Sequence, residues 1–184
     1  FGLMGAAFAS FVLGIDRPRV GLLNIGEENS KGSELAVEAH KLLAASPLNF
    51  VGNVEGRAVL YNTADVVVTD GFTGNVALKL LEGTAGAMLE RLRAAAGSSV
   101  RSKVGGLLLR PALRQMKSSL DPEEYGGTYL LGVRGLMIIC HGSSSRRAIA
   151  NALRFGARAV RNGLVANLPA LLEAQLTPAV SEGD

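Results

Sequence analysis

The sequence predicts an α/β fold of three layers (αβα), with helices on both faces of a mainly parallel sheet. Three observations predict it. Short apolar runs ending in polar turns alternate with helix-length stretches, the order that parallel strands require. Gly is frequent, at 23 of 184 residues, while aromatics are 5% and Trp is absent, which suits tight strand-to-helix turns better than a β-sandwich. Apolar residues reach 48%, which supports one substantial core and excludes a disordered chain. The length fits a single α/β domain over 1–184, or a fragment of one, with a helical protrusion over about 76–120.

The elements follow in order. Residues 1–15, FGLMGAAFASFVLGI, are apolar but carry no basic leader. A spanning helix needs about 20 apolar residues, so this stretch reads as a buried helix, and a chain opening inside one is expected to belong to something longer. RVGLLNI (19–25) is the first strand, followed by a Gly/acid turn and a helix from about Gly32 to Ala45. LNFVGNV (48–54) and ADVVVTD (64–70) are the next strands. The loop GFTGN opens a long helical region with a break at 97–99 and a second at VGG, 104–106. Pro111 is predicted at a helix start, because inside a helix it removes a hydrogen bond and clashes with the preceding turn. After the loop DPEEYGG, the apolar stretches YLLGV and LMIIC complete the strands. SSRRAIANALRFGARAV and LVANLPALLEAQL close the chain as helices.

The net charge of +3 is unevenly spread. Residues 88–120 hold seven basic side chains (Arg91, Arg93, Arg101, Lys103, Arg110, Arg114, Lys117) against Glu90 alone, so this segment carries +6 and the remainder −3. Leu107, Leu108, Leu109, Leu113 and Met116 are interleaved with Arg110, Arg114 and Lys117. Such a stretch can lie on an anionic membrane, receive an acidic protein, pack across a dimer, or be a plain solvated face. Cys140 is the single cysteine, which permits no internal disulfide and points to a reducing cytoplasm. The sequence shows no metal-ligand spacing and no G-x-G-x-x-G after a strand, so no cofactor or metal is expected, and nucleic acid is not among the expected partners.

Three apolar runs end in unusual polar turns before a helix: NIGEENSKG (24–32), TDGFTGN (69–75) and CHGSSS (140–145). In one parallel sheet these turns share the carboxyl edge, where open α/β sheets bind ligands. Glycines let backbone N–H groups approach a ligand, and helix N-termini favour anions, phosphate above all. Each turn also has a plainer reading. Ser143 or Ser144 can cap the following helix, Asp70-Gly71 can be a tight turn, Lys31 a solvated charge and His141 a structural histidine. His40 reads as an ordinary helix residue. Asn53 and Glu55 are either a fourth rim element or a turn.

The motifs LLNIGEENSKG, FVGNVEGR, VVVTDGFTGNVALK, EYGGTYLLGV and HGSSSRRAI, in this order, resemble the PlsX-type phosphate acyltransferases of bacterial phospholipid synthesis, from about Arg19 to Ala166. The resemblance implies transfer of a fatty acyl group from acyl carrier protein to inorganic phosphate, giving acyl phosphate. It also implies a fold related to phosphotransacetylases and isocitrate dehydrogenase-like proteins, a homodimer, and a cytoplasmic enzyme loosely attached to the inner membrane face. Family members are nearly twice this long, so the amino-terminal half of the family is expected to be missing here.

The chemistry then assigns expected roles. Phosphate is already ionised at neutral pH and a thiol leaving group has a pKa near about 8.5, so neither needs strong acid–base help. The larger demands are gathering two anions and stabilising a tetrahedral oxyanion. Lys31 is expected to neutralise one of those charges, Asn75 to donate an amide hydrogen bond, and His141 to orient a reactant or protonate the thiolate. Substrate contacts are expected at Asn24, Gly26 and Glu27, at Gly71 and Gly74, and at Gly142, Ser143 and Ser144. Asp70 is expected to fix Lys31 or its own loop. Arg101, Lys103, Arg110, Arg114 and Lys117 form the expected partner or membrane surface. Competing expectations are a phosphotransacetylase acting on a coenzyme A thioester, and a binding or dimerisation module without activity.

Overall fold

The computed structural model describes residues 1–119, 121–133 and 135–176, with side chains at all of these except 116–119, 122 and 174–176. Helix α1 (Gly2–Phe8) runs on into a π-helical turn, Ala9–Leu13. Its Ala7, Ala9 and Val12 are buried, as the apolar opening stretch predicts. Strand β1 (Arg19–Asn24) follows, then helix α2 (Glu34–Ala44), strand β2 (Asn49–Glu55), a 3₁₀ turn at Gly56–Tyr61 and strand β3 (Val66–Val68). Helices α3 (Gly71–Gly97) and α4 (Val100–Ser119) come next, then strands β4 (Thr128–Tyr129) and β5 (Ile138–Ile139), and helices α5 (Arg146–Arg161) and α6 (Leu164–Leu176).

The architecture is α/β, as expected, with β1 at the centre of a parallel sheet ordered β2-β1-β3. Val20, Gly21 and Leu22 of β1 are buried, the near-continuous apolar run of a strand covered on both sides. Leu22 registers with Val68 and Asn53, and Asn24 with Glu55, so β1 and β2 end together on one edge. The β1–β2 ladder slips between Val20 and Gly21, leaving Val51 as an extra residue on β2 beside Gly52 at φ +91°. Such a bulge re-aims the side chains that follow it, and here Asn53 and Val54 are both buried.

The described residues divide into two compact units, one formed within 1–69, 128–139 and 153–176, the other within 70–127 and 140–152. The core of the first gathers Ala7 and Val12 with Ala159, Leu164 and Leu168. Phe8, Tyr129 and Phe155 edge against one another there, with ring centroids 5.0, 5.5 and 6.3 Å apart. In the second, α3 and α4 pack as a helical hairpin.

Two expectations are corrected. LMIIC does not join the parallel sheet: β5 pairs antiparallel with β4 in a separate two-stranded ladder. Parallel strands need a crossover of about a dozen residues, and the connection over 130–137 is shorter than that. The turn at 140–145 therefore does not leave the carboxyl edge of the parallel sheet. VGG at 104–106 is no helix break either, since α4 runs unbroken through it with Pro111 inside. A Cβ at Gly106 would stand 2.9 Å from the Ala96 Cβ, so this glycine serves close approach of the hairpin's helices rather than a turn.

Candidate functional site

In the first unit, the turn after β1 is closed by its own polar groups. Asn24 Oδ1 accepts from the Ile25 amide at 2.9 Å and Asn24 Nδ2 donates to the Lys31 carbonyl at 2.9 Å. The Lys31 amide donates to the Glu28 carbonyl at 3.0 Å. Gly32 has φ +96°, and a Cβ there would fall 2.3 Å from Asn24 Oδ1, so only glycine completes this turn. Asn24, expected at the substrate, thus spends its amide on shaping the turn. Gly26 is buried, with Lys31 Cγ 3.1 Å from where its Cβ would be, while Glu27 is exposed. The Lys31 ammonium is exposed and has no ion-pair partner among the described residues.

Beneath this turn lies a pair that sequence reasoning undervalued. His40 and Asn53 are 8% and 7% exposed and form the buried polar pair of the described residues. His40 Nδ1 and Asn53 Oδ1 are 3.0 Å apart, and Asn53 Nδ2 donates to the Glu28 carbonyl at 2.8 Å. A carbonyl can only accept, so the Asn53 NH₂ must face Glu28 and its oxygen must face His40; His40 Nδ1 therefore carries a proton and donates. His40 is not an ordinary helix residue, and Asn53 is neither a rim element nor a turn but a strand residue reaching inward. The alternation of β2 alone gave no sign of this, because the bulge at Val51 reverses it. Glu55, at the strand end, pairs with Arg57.

In the second unit, Asp70 caps α3, accepting from the Thr73 amide at 2.8 Å; the Thr73 side chain first, and then this amide, hold its carboxyl below the usual carboxylate range. The Gly74 amide donates to the Asp70 carbonyl at 2.9 Å, so it is spent inside the helix rather than left for a ligand. A Cβ at Gly71 would meet open space, and Asn75 is exposed one turn into α3.

The turn at 140–145 is closed by the Ser144 amide donating to the His141 carbonyl at 2.9 Å. The cap of α5 is Ser145, whose hydroxyl accepts from the Ala148 amide at 3.2 Å, and not Ser143 or Ser144. That leaves the hydroxyls of Ser143 and Ser144, together with the Gly142 backbone, free of a capping duty. His141 is exposed, and its charge acts on Glu82. Glu82 accepts from Lys79 at 2.8 Å, and that bond chiefly holds its carboxyl below the usual range. Lys79 and Glu82, spaced i, i+3 within the stretch ALKLLEG, went unremarked in the sequence because such pairs are common on solvated helices.

The loop before β4 interlocks with α5. Arg147 pairs with Glu124 and lies 3.9 Å from Asp121, and Asn151 Nδ2 donates to the Glu123 carbonyl at 2.9 Å. EYGG and SSRRA are thus two halves of one piece.

The α3–α4 hairpin carries a groove of about 610 Å³ lined by Leu89, Leu92, Leu107 and Leu113 together with Arg93, Lys103, Arg110 and Arg114, and no acidic residue lines it among the described residues. Arg101 is exposed on the same helix. The side chain of Lys117 lies outside the described residues. Among the described residues no helix is long and apolar enough to cross a membrane.

The model of the family described as "fatty acid synthesis protein" matches residues 1–167. The chain belongs to that family, the PlsX type that its motifs resemble. It is 51% identical over 168 residues to a phosphate acyltransferase of Moorella thermoacetica, covering 91% of this chain and 50% of the relative. It is 52% identical to a phosphate acyltransferase of Syntrophotalea carbinolica, over 87% of this chain and 46% of the relative. The same identity holds to one from Anoxybacillus flavithermus, over 90% and 50%. The chain spans about half the length of the curated relatives it matches.

Proposed function

We propose that this chain carries part of the machinery that moves a long-chain fatty acyl group from acyl carrier protein to inorganic phosphate, an early step of phosphatidic acid and phospholipid synthesis. A phosphate oxygen attacks the thioester carbonyl, a tetrahedral oxyanion forms, and the C–S bond breaks. The thiolate leaves with the bonding pair and takes up a proton, giving acyl phosphate and free carrier protein. The observation that carries this reading is Lys31: an exposed cation without an ion-pair partner among the described residues, on a turn whose backbone is held on both sides.

Lys31 neutralises phosphate or the carbonyl oxyanion, a role a positioned cation fills without reorganising during the reaction. Taken by itself, the other unit also carries donors suited to a phosphate anion: the side-chain amide of Asn75, the Gly71 and Gly142 backbone and the Ser143 and Ser144 hydroxyls. His141 orients a reactant or protonates the departing thiolate. Gly26 and Glu27 lie on the Lys31 turn, and Asn24 supports that turn from below.

The same reading places two surfaces on the helical hairpin. Phe72, Leu80 and Met88 of α3 are exposed and no residue of this helix is buried, which suits cover by a second copy in a homodimer. The basic edge of the groove, with Arg101, Lys103, Arg110 and Arg114, suits the acidic carrier protein and an anionic membrane, and the protein works at the inner membrane face of the cytoplasm.

The test is acyl-phosphate formation from palmitoyl carrier protein and phosphate, trapped with hydroxylamine, on this chain and its Lys31→Ala variant. The expected result is product with the parent and a loss of about a hundredfold in the variant. Near-normal turnover by Lys31→Ala at all phosphate concentrations overturns the charge role. Preference for acetyl-CoA favours a phosphotransacetylase instead. A second reading, a binding and dimerisation module, is what absence of product beside an active full-length relative would support.

A further inference from the structure

We infer that Asn53 and His40 are positioning residues for Lys31, acting through the Glu28 carbonyl; the inference rests on the charge role proposed for Lys31. Lysine carries its charge on a flexible four-carbon stem, so the protein controls where that charge goes chiefly by fixing the backbone that bears it. At Lys31 both backbone groups are tied. Its carbonyl accepts from Asn24 Nδ2 at 2.9 Å, and its amide donates to the Glu28 carbonyl at 3.0 Å. That carbonyl would be an exposed turn oxygen, free to swing, were it not also held from below by Asn53 Nδ2 at 2.8 Å. His40 Nδ1, 3.0 Å from Asn53 Oδ1, fixes which way the Asn53 amide faces. The Phe50 ring, edge-on to His40 with centroids 5.1 Å apart, fixes the imidazole in turn.

The arrangement is more than the fold needs. Two buried polar side chains cost desolvation, and a well-packed apolar pair of similar size would fill the space between α2 and β2 at no loss. What the apolar pair cannot do is reach the turn. The β2 bulge beside Gly52 serves the same end, since it aims Asn53 inward at the position registered with Leu22. A displacement of about 1 Å at a reacting group can cost on the order of a hundredfold in rate, so a rigid tether from the sheet to the Lys31 backbone has a chemical use.

Asn53→Asp separates the two bonds: the carboxylate still accepts from His40 but cannot donate to Glu28. The experiment follows amide exchange by NMR and titrates inorganic phosphate into this chain, Asn53→Asp, Lys31→Ala and the double variant. The expected result is roughly tenfold faster exchange at the Lys31 amide in Asn53→Asp, with the Ala36 amide, bonded to Ser33, unchanged. Phosphate affinity falls roughly five- to tenfold in Asn53→Asp and by less than about twofold when Lys31 is already Ala, the non-additivity expected of groups acting through one another. His40→Asn, which returns a donor near Nδ1, keeps most of the affinity, whereas His40→Leu behaves like Asn53→Asp.

Unchanged Lys31 exchange overturns the inference, as does equal acceleration at Lys31 and Ala36, the mark of a merely structural role. Additive losses in the double variant overturn it too. If Lys31→Ala weakens phosphate binding and Asn53→Asp does not, the inference falls and the charge role stands. If Lys31→Ala binds phosphate as the parent does, or the parent binds none, the charge role falls and takes the inference with it.

Discussion

Gly126 lies so close to α5 that a Cβ there would stand 2.0 Å from the Ala148 carbonyl oxygen and 2.5 Å from the Ala152 amide nitrogen. Its φ of +78° also lies in the left-handed region. Both contacts are backbone, so nothing can swing aside, and the docking of EYGG on SSRRA depends on a missing side chain. Gly126→Ala is expected to cost more than about 2 kcal/mol, with overpacking and backbone strain acting together. The measurement is the denaturant midpoint, and a shift equivalent to under about 0.5 kcal/mol would contradict the geometry.

The adjacent pair Gly105 and Gly106 separates helix propensity from packing. A Cβ at Gly105 meets open space, so Gly105→Ala is expected to stabilise α4 by about 0.5–1 kcal/mol. At Gly106 the same gain is opposed by the Ala96 Cβ at 2.9 Å, and Gly106→Leu is expected to cost about 1–3 kcal/mol by forcing the hairpin apart. Thermal unfolding of the two variants, read side by side, should show opposite signs.

These glycines also mark where sequence reading succeeds and fails. The strands of the parallel sheet were legible because RVGLLNI and ADVVVTD are apolar runs punctuated by turns, and local chemistry dictates both. The GEENSKG turn and the Lys31 charge were legible for the same reason. VGG at 104–106 has the composition of a break, but its meaning is set by Ala96 on another helix, which local pattern cannot carry. His40 and Asn53 lie 13 residues apart, and their pairing depends on a bulge that flips the alternation of β2. Ser145, rather than Ser143 or Ser144, became the cap because three consecutive hydroxyls offer equal local signals and the helix start decides among them.

At the amino edge of the sheet, Arg19 grips Asp65 with Nε to Oδ2 and Nη2 to Oδ1, both at 3.0 Å, and the Arg19 amide adds a third bond at 2.8 Å. The Arg19 guanidinium, through these bonds, holds the Asp65 carboxyl below its usual range. A carboxyl whose folded pKa is lowered binds fewer protons in the folded state. Its stabilisation is therefore full above the unfolded pKa of about 3.9 and is lost as pH falls through the lower folded value. Asp65→Asn is expected to destabilise the protein at neutral pH and to match the parent at strongly acidic pH. Urea midpoints across that range test it, and a gap that stays constant with pH would mean the loss is not one of charge.

The basic edge of the α3–α4 groove gives the last prediction. Arg110 and Arg114 line it with no acid among the described lining residues, and Leu107 and Leu108 are exposed on the same helix. A cation near an anionic lipid surface contributes about 1 kcal/mol, so reversing two of them to Glu is expected to weaken binding to anionic vesicles by more than about tenfold. Salt should do the same to the parent, since these charges are exposed and screened within about 8 Å at physiological ionic strength. Neutral phosphatidylcholine vesicles separate the two contributions: binding to them rests on the leucines and should be unaffected by the reversal. If the charge-reversed protein binds anionic vesicles as the parent does, the membrane role of this edge is excluded. Loss of affinity for acyl carrier protein in the same variant would then assign the arginines to the acidic partner alone.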